Sequence, residues 1–91
     1  MAEKIFTVTN EAGIHARPAT LLVHKAGQYG SELTIDFNGR KANLKSIMGV
    51  MSMGIRQNTR IKVIAEGPDE EEAIAGITEI FKSEGLGEPE S

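Results

Sequence analysis

Ninety-one residues give room for one small core, and 40% apolar against 25% charged residues is a globular balance that needs no metal or disulfide staple. The absence of cysteine excludes disulfide frameworks, thiolate zinc sites and cysteine nucleophiles together, and fits a reducing compartment. The net charge of −3 hides an asymmetry, since residues 1–65 carry nine Lys or Arg against four acids and residues 66–91 carry one against nine, so the earlier part can turn a basic face to acidic partners.

Along the chain, Ile5-Phe6-Thr7-Val8-Thr9 is a short strand that runs into the turn chemistry of Asn10-Glu11-Ala12-Gly13. From Ala16 to Gln28 the apolar residues Ala19, Leu22, Val23 and Ala26 recur at helical spacing. Pro18 suits only the first turn of that helix, where an N–H has no intrahelical acceptor, and Gly27 and Gly30 bracket its end. Leu33, Ile35 and Phe37 alternate with Thr34, Asp36 and Asn38, the pattern of a strand with one wet face. Asn38-Gly39 suits a type I′ hairpin, so Arg40 to Leu44 should return antiparallel.

Ser46 to Met53 reads as a two-turn helix with Ser46 as its cap. Arg60 to Ala65 is a strand ended by Gly67-Pro68-Asp69. Asp69 to Glu72 load acids onto the start of a last helix, whose stripe is Ala73, Ile74, Ile77, Ile80 and Phe81 and which Gly85 stops. Residues 86–91 read as a frayed acidic tail. These elements predict an α+β fold, an open-faced β-sandwich of order βαββαβα with a four-stranded antiparallel sheet and three helices on one face. A single domain over residues 1–88 and a disordered end at 89–91 are expected. Apolar runs of only a few residues and no hydrophobic leader at Met1-Ala2-Glu3-Lys4 predict a cytoplasmic protein without membrane insertion.

The chemistry concentrates in Gly13-Ile14-His15-Ala16-Arg17-Pro18-Ala19, where a histidine stands at the change from a glycine turn to a helix. Each part alone has an ordinary explanation: His15 as a helix-terminus residue, Arg17 as a solvated charge, Pro18 as a first-turn residue. Together they make an anion site. Free N–H groups and the positive end of the helix dipole point at whatever His15 carries, and Arg17 offers a planar fork matched to phosphate oxygens. A largely neutral imidazole can attack a phosphoryl group and release it to another nucleophile. His24 falls near Arg17 and Gln28, away from the apolar stripe, and reads as a solvated residue. Two histidines without thiols or a ligand-like spacing give no metal site, and no nucleotide-binding pattern implies a cofactor. With 4% aromatics and no stacking platform or recognition helix, nucleic acid is a poor partner.

That segment resembles the phosphohistidine signature of the HPr family, the phosphocarriers of the bacterial phosphoenolpyruvate-dependent sugar phosphotransferase system. Lys45-Ser46-Ile47-Met48-Gly49-Val50-Met51-Ser52-Met53-Gly54 resembles the family's second signature, around a regulatory serine, in a form closer to that of low-GC Gram-positive bacteria. The resemblance spans nearly the whole chain. It implies that His15 accepts phosphate from enzyme I and donates it to IIA domains of sugar permeases, with Arg17 assisting, so that the chain is a carrier and not a catalyst. It also implies that Ser46 is a substrate of HPr kinase/phosphorylase, and that the product binds a catabolite-control repressor of the LacI family. Ser46 has a plain structural role as well, because serine is among the best N-caps.

Ile47, Met48, Val50, Met51 and Met53 place apolar groups nearly all round a short helix, more than one buried stripe accounts for. About half should be core and the rest exposed beside His15; the resemblance favours Ile47, Met48 and Met51 for exposure and partner binding. Lys25 and Lys45 are candidate docking charges, and a monomer is expected. The alternatives are a co-regulatory binding module acting mainly through Ser46, from which His15 argues away because the known regulatory paralogue lacks it, and a carrier in a nitrogen-related branch.

Overall fold

The computed structural model describes residues 1–90. In chain order the elements are β1 (Ala2–Val8), α1 (Ala16–Ala26), β2 (Glu32–Phe37), β3 (Arg40–Asn43), α2 (Ile47–Met51), β4 (Thr59–Glu66), α3 (Glu70–Ser83) and β5 (Gly87–Pro89). The strands form one antiparallel sheet in the order β3-β2-β4-β1-β5. The architecture is the expected α+β open sandwich. Alternation decides its faces: Leu33 and Ile35 on β2, Ile61, Val63 and Ala65 on β4, and Phe6 and Val8 on β1 are buried beneath the helices. Their neighbours face outward and carry the ion pairs Arg60–Glu90 (2.6 Å) and Lys62–Glu3 (3.7 Å). Inside, the Phe6 ring stacks on Phe81 of α3 with centroids 4.2 Å apart.

One expectation is corrected. The sheet has five strands instead of four, because the segment read as a frayed tail is tied down. Leu86 is fully buried, Gly87–Pro89 pairs with β1 opposite Phe6, Thr7 and Val8, and the Glu90 N–H donates to the Ile5 carbonyl (2.8 Å). The physical reason is that β1 has an outer edge in a four-stranded sheet, whose orphan backbone groups take any extended partner. Gly and Pro carry no strand signal, and Gly87 is needed because a Cβ there would come within 2.2 Å of the Thr7 carbonyl oxygen. The end expected at 89–91 is therefore paired at Pro89 and hydrogen-bonded at Glu90; Ser91 lies outside the described residues. As expected, α1 ends at Gly27, a right-handed C-cap (φ −66°) whose N–H contacts the Lys25 and Val23 carbonyls.

Asn38 (φ 55°) and Gly39 (φ 84°) both take the positive angles that a type I′ turn requires. Asp69, at the N-cap of α3, makes no cap bond to its own helix and reaches across to the loop before β2. It accepts from the Gly30 N–H (2.9 Å), the Ser31 N–H (2.9 Å) and the Ser31 hydroxyl. The Ser31 hydroxyl, and after it the Gly30 N–H, hold the Asp69 carboxyl below the ordinary aspartate range.

Candidate functional site

His15 is the N-cap residue of α1, extended at φ −94° and ψ −171°, and its side chain makes no capping bond. The imidazole is exposed. Its carbonyl accepts from Ala19 N–H (3.0 Å), which begins the helical ladder. Pro18 has no N–H to offer, so the helix start leaves those of Ala16 and Arg17, which have no protein acceptor among the described residues. An anion carried at this helix start meets two free donors and the positive end of the dipole.

The loop before His15 is held from both sides. The Gly13 N–H donates to the Asn10 carbonyl (2.9 Å) and Ala12 N–H to the Asn10 side chain (2.9 Å), which closes the turn. Ile14 N–H then donates to the Ile55 carbonyl (3.1 Å), which fastens the loop to the segment after α2. Gly13 permits that approach: at φ +65°, a Cβ would lie 2.2 Å from the Ile55 carbonyl oxygen. Beside the imidazole is an open depression of 180 Å³ lined by Asn10, His15, Arg17, Pro18, Glu84 and Leu86. Arg17 is exposed on its rim, and no ion pair joins it to Glu84 among the described residues. Asn10, Glu84 and Leu86 escaped the reading of the sequence. Glu84 and Leu86 arrive from the far end of α3 by packing, and no local spacing could have signalled them.

Ser46 caps α2, its hydroxyl accepting from Gly49 N–H (3.1 Å). Val50 and Met53 are core at 1% and 5% exposure, whereas Met48 at 79%, Met51 at 40% and Ile47 at 38% face solvent. These three are the large apolar groups expected to be exposed. They sit on a helix packed against α1. Lys45 Nζ donates to the Tyr29 carbonyl (2.8 Å) beyond the C-terminal end of α1, while Ile55 meets Ile14 before its N-terminal end. The α2 segment therefore runs back along α1. Neither lysine is a free charge next to His15. Lys45 is held by Tyr29, and Lys25 is half-buried, with its stem against the face of α3 at Gly76. His24 is exposed. Among the described residues no three His, Asp or Glu side chains converge as a metal-binding set, and no helix is long and apolar enough to cross a membrane.

An antiparallel open sandwich with an exposed histidine opening its first helix defines a class of small α+β proteins. The family model described as the PTS HPr component phosphorylation site matches residues 2–83, and the chain belongs to that family. The histidine-containing phosphocarrier protein of Mycoplasma superposes with a TM-score of 0.93 at 38% identity, over 94% of this chain and 98% of that one. HPr from Thermoanaerobacter tengcongensis is similar at a TM-score of 0.87 and 42% identity, over 91% of this chain and 93% of its own. Crh of Bacillus subtilis, a catabolite-repression protein solved as a swapped dimer, gives 0.72 and 37%, covering 84% and 87%.

Proposed function

We propose that the chain is a phosphocarrier whose His15 takes a phosphoryl group from phosphorylated enzyme I and passes it to IIA domains of sugar permeases. The observation that carries this is the state of His15: an exposed imidazole, unused as a cap, at a helix start with two free N–H groups and Arg17 on the rim. A ring nitrogen attacks the incoming phosphorus as the bond to the donor breaks. The new phosphoramidate oxygens are received by the Ala16 and Arg17 N–H groups, and Arg17 adds charge-assisted bonds. Release to the next nucleophile reverses the same step. The openness of the site suits a relay, because the donor and then the acceptor must reach one atom. The chain supplies no acid/base pair of its own, so the partners are the catalysts and it is their substrate. We place it in the cytoplasm as a monomer.

Ile47, Met48 and Met51 make the apolar part of the docking face, where flexible thioethers suit several unlike partners. Lys25 and Lys45 contribute long-range steering charge for acidic partners. Ser46 is the regulatory residue, phosphorylated by HPr kinase/phosphorylase. A phosphoserine is tolerated at the helix N-terminus, and it sets about −1.5 to −2 charges at the edge of the apolar strip. An enzyme I that covers the strip must then desolvate the dianion. A LacI-family repressor presenting Arg or Lys gains a contact instead, which connects the chain to carbon catabolite control.

The test is incubation with enzyme I, Mg²⁺ and phosphoenolpyruvate, followed by intact mass. A single acid-labile, base-stable phosphate is expected, lost in His15→Ala; labelling that persists in His15→Ala overturns the assignment. The regulatory half is tested by the rate of His15 phosphorylation with Ser46 free and phosphorylated. Equal rates leave Ser46 a cap only.

A further inference from the structure

The methionines around α2 divide by exposure. Met48 is 79% exposed and Met51 40%, while Met53, two residues further, is 5% exposed and belongs to the core. The first two thioethers lie open to any small oxidant in solvent, and the third can be reached only if packing opens. A methionine sulfoxide is polar and chiral where the thioether was apolar, so it alters a packed contact surface without changing the side chain's reach. No hydrogen bond or core contact of α2 depends on the Met48 side chain, since the Ser46 cap and the burial of Val50 and Met53 hold that element.

We propose that Met48, with Met51 beside it, is a redox-sensitive modification site: oxidation of these thioethers by hydrogen peroxide lowers phosphoryl transfer at His15 by spoiling the docking strip, and leaves the fold and the imidazole unaltered. The inference rests on the docking role given above to Ile47, Met48 and Met51. In the step itself the sulfur lone pair attacks one peroxide oxygen, the S–O bond forms and the O–O bond breaks. The departing hydroxide becomes water by taking the proton from the oxygen now bonded to sulfur. The sulfur is oxidised by two electrons and the peroxide reduced by two. A methionine sulfoxide reductase drawing on a dithiol returns the thioether and forms a disulfide and water. Because the chain has no cysteine, these exposed sulfurs are the oxidisable groups on the docking strip.

The experiment treats the full chain with hydrogen peroxide, removes the oxidant with catalase, and follows oxidation by peptide mass mapping, fold by circular dichroism, and His15 phosphorylation by enzyme I and phosphoenolpyruvate. Met48 should oxidise ahead of Met51 and both far ahead of Met53. The circular dichroism spectrum should hold while the phosphorylation rate falls about fivefold, the size expected for a contact residue changed from apolar to polar. Sulfoxide reductase should restore the rate. The variant Met48→Leu/Met51→Leu, compared with its own untreated rate, should lose nothing to peroxide although it keeps Met1 and Met53. An unchanged rate in protein fully oxidised at Met48, an equal loss in the double variant, or Met53 oxidising as fast as Met48 would each overturn the proposal. Failure of the untreated protein to take phosphate is read in a separate arm, and it overturns the carrier reading together with this one.

Discussion

His15 and Ser46 both stand at helix N-termini, yet the chain uses them in opposite ways. Ser46 turns its hydroxyl inward to the Gly49 N–H and completes its helix, whereas His15 leaves the donors of Ala16 and Arg17 open and turns its ring to solvent. A capped end has a helix donor already satisfied, whereas an uncapped one leaves its donors free to receive a ligand. The support also differs. Ser46 needs only its own turn, while His15 is held by Gly13, Asn10 and Ile55, the last of these forty residues on in the sequence.

This contrast breaks most visibly at His15 itself. His15→Ala should abolish phosphate acceptance while its free energy of urea unfolding stays within about 0.5 kcal/mol of the parent, because no cap bond is lost. A loss of stability comparable to a missing cap would mean that the side chain is structural after all. Next in size is Gly13→Ala, where a Cβ meets the Ile55 carbonyl oxygen in a positive-φ residue; a loss of about 2 kcal/mol or more, accompanied by slower transfer at an unmodified His15, is expected from denaturant unfolding and transfer kinetics. Normal stability there would show that the loop does not need its anchor.

Ser46→Ala should lose about 1 kcal/mol, the usual worth of a serine cap, and still accept phosphate at His15. If stability does not change, the cap bond to Gly49 contributes nothing. The smallest expected effect is a change with pH at the third N-cap, Asp69, whose carboxyl is held low chiefly by the Ser31 hydroxyl. A depressed folded-state pKa gives stability that is complete above the ordinary aspartate value of about 3.9 and is lost as pH falls through the lower folded value. The stability difference between the parent and Asp69→Asn should therefore shrink as pH is lowered from about 5 to about 2. A constant difference over that range would remove the charge from the account.

Much of this protein was determined by sequence alone. The alternation of Leu33, Ile35 and Phe37, the Asn38-Gly39 turn, the helical recurrence of Ala19, Leu22 and Ala26, and the cap at Ser46 are local signals, and each element followed from them. His15 and Arg17 were legible for the same reason, since a helix start is written within a few residues. Tertiary structure alone decided what depends on distant partners. The Gly87–Pro89 strand exists because β1 offers an edge and Leu86 finds the core, not because its residues favour a strand. Glu84 reaches the His15 depression through the packing of α3, Lys45 is held by Tyr29, and α2 runs back along α1. Propensity acts over a turn or two of chain, whereas edge pairing and packing act between segments that meet only once the core has closed.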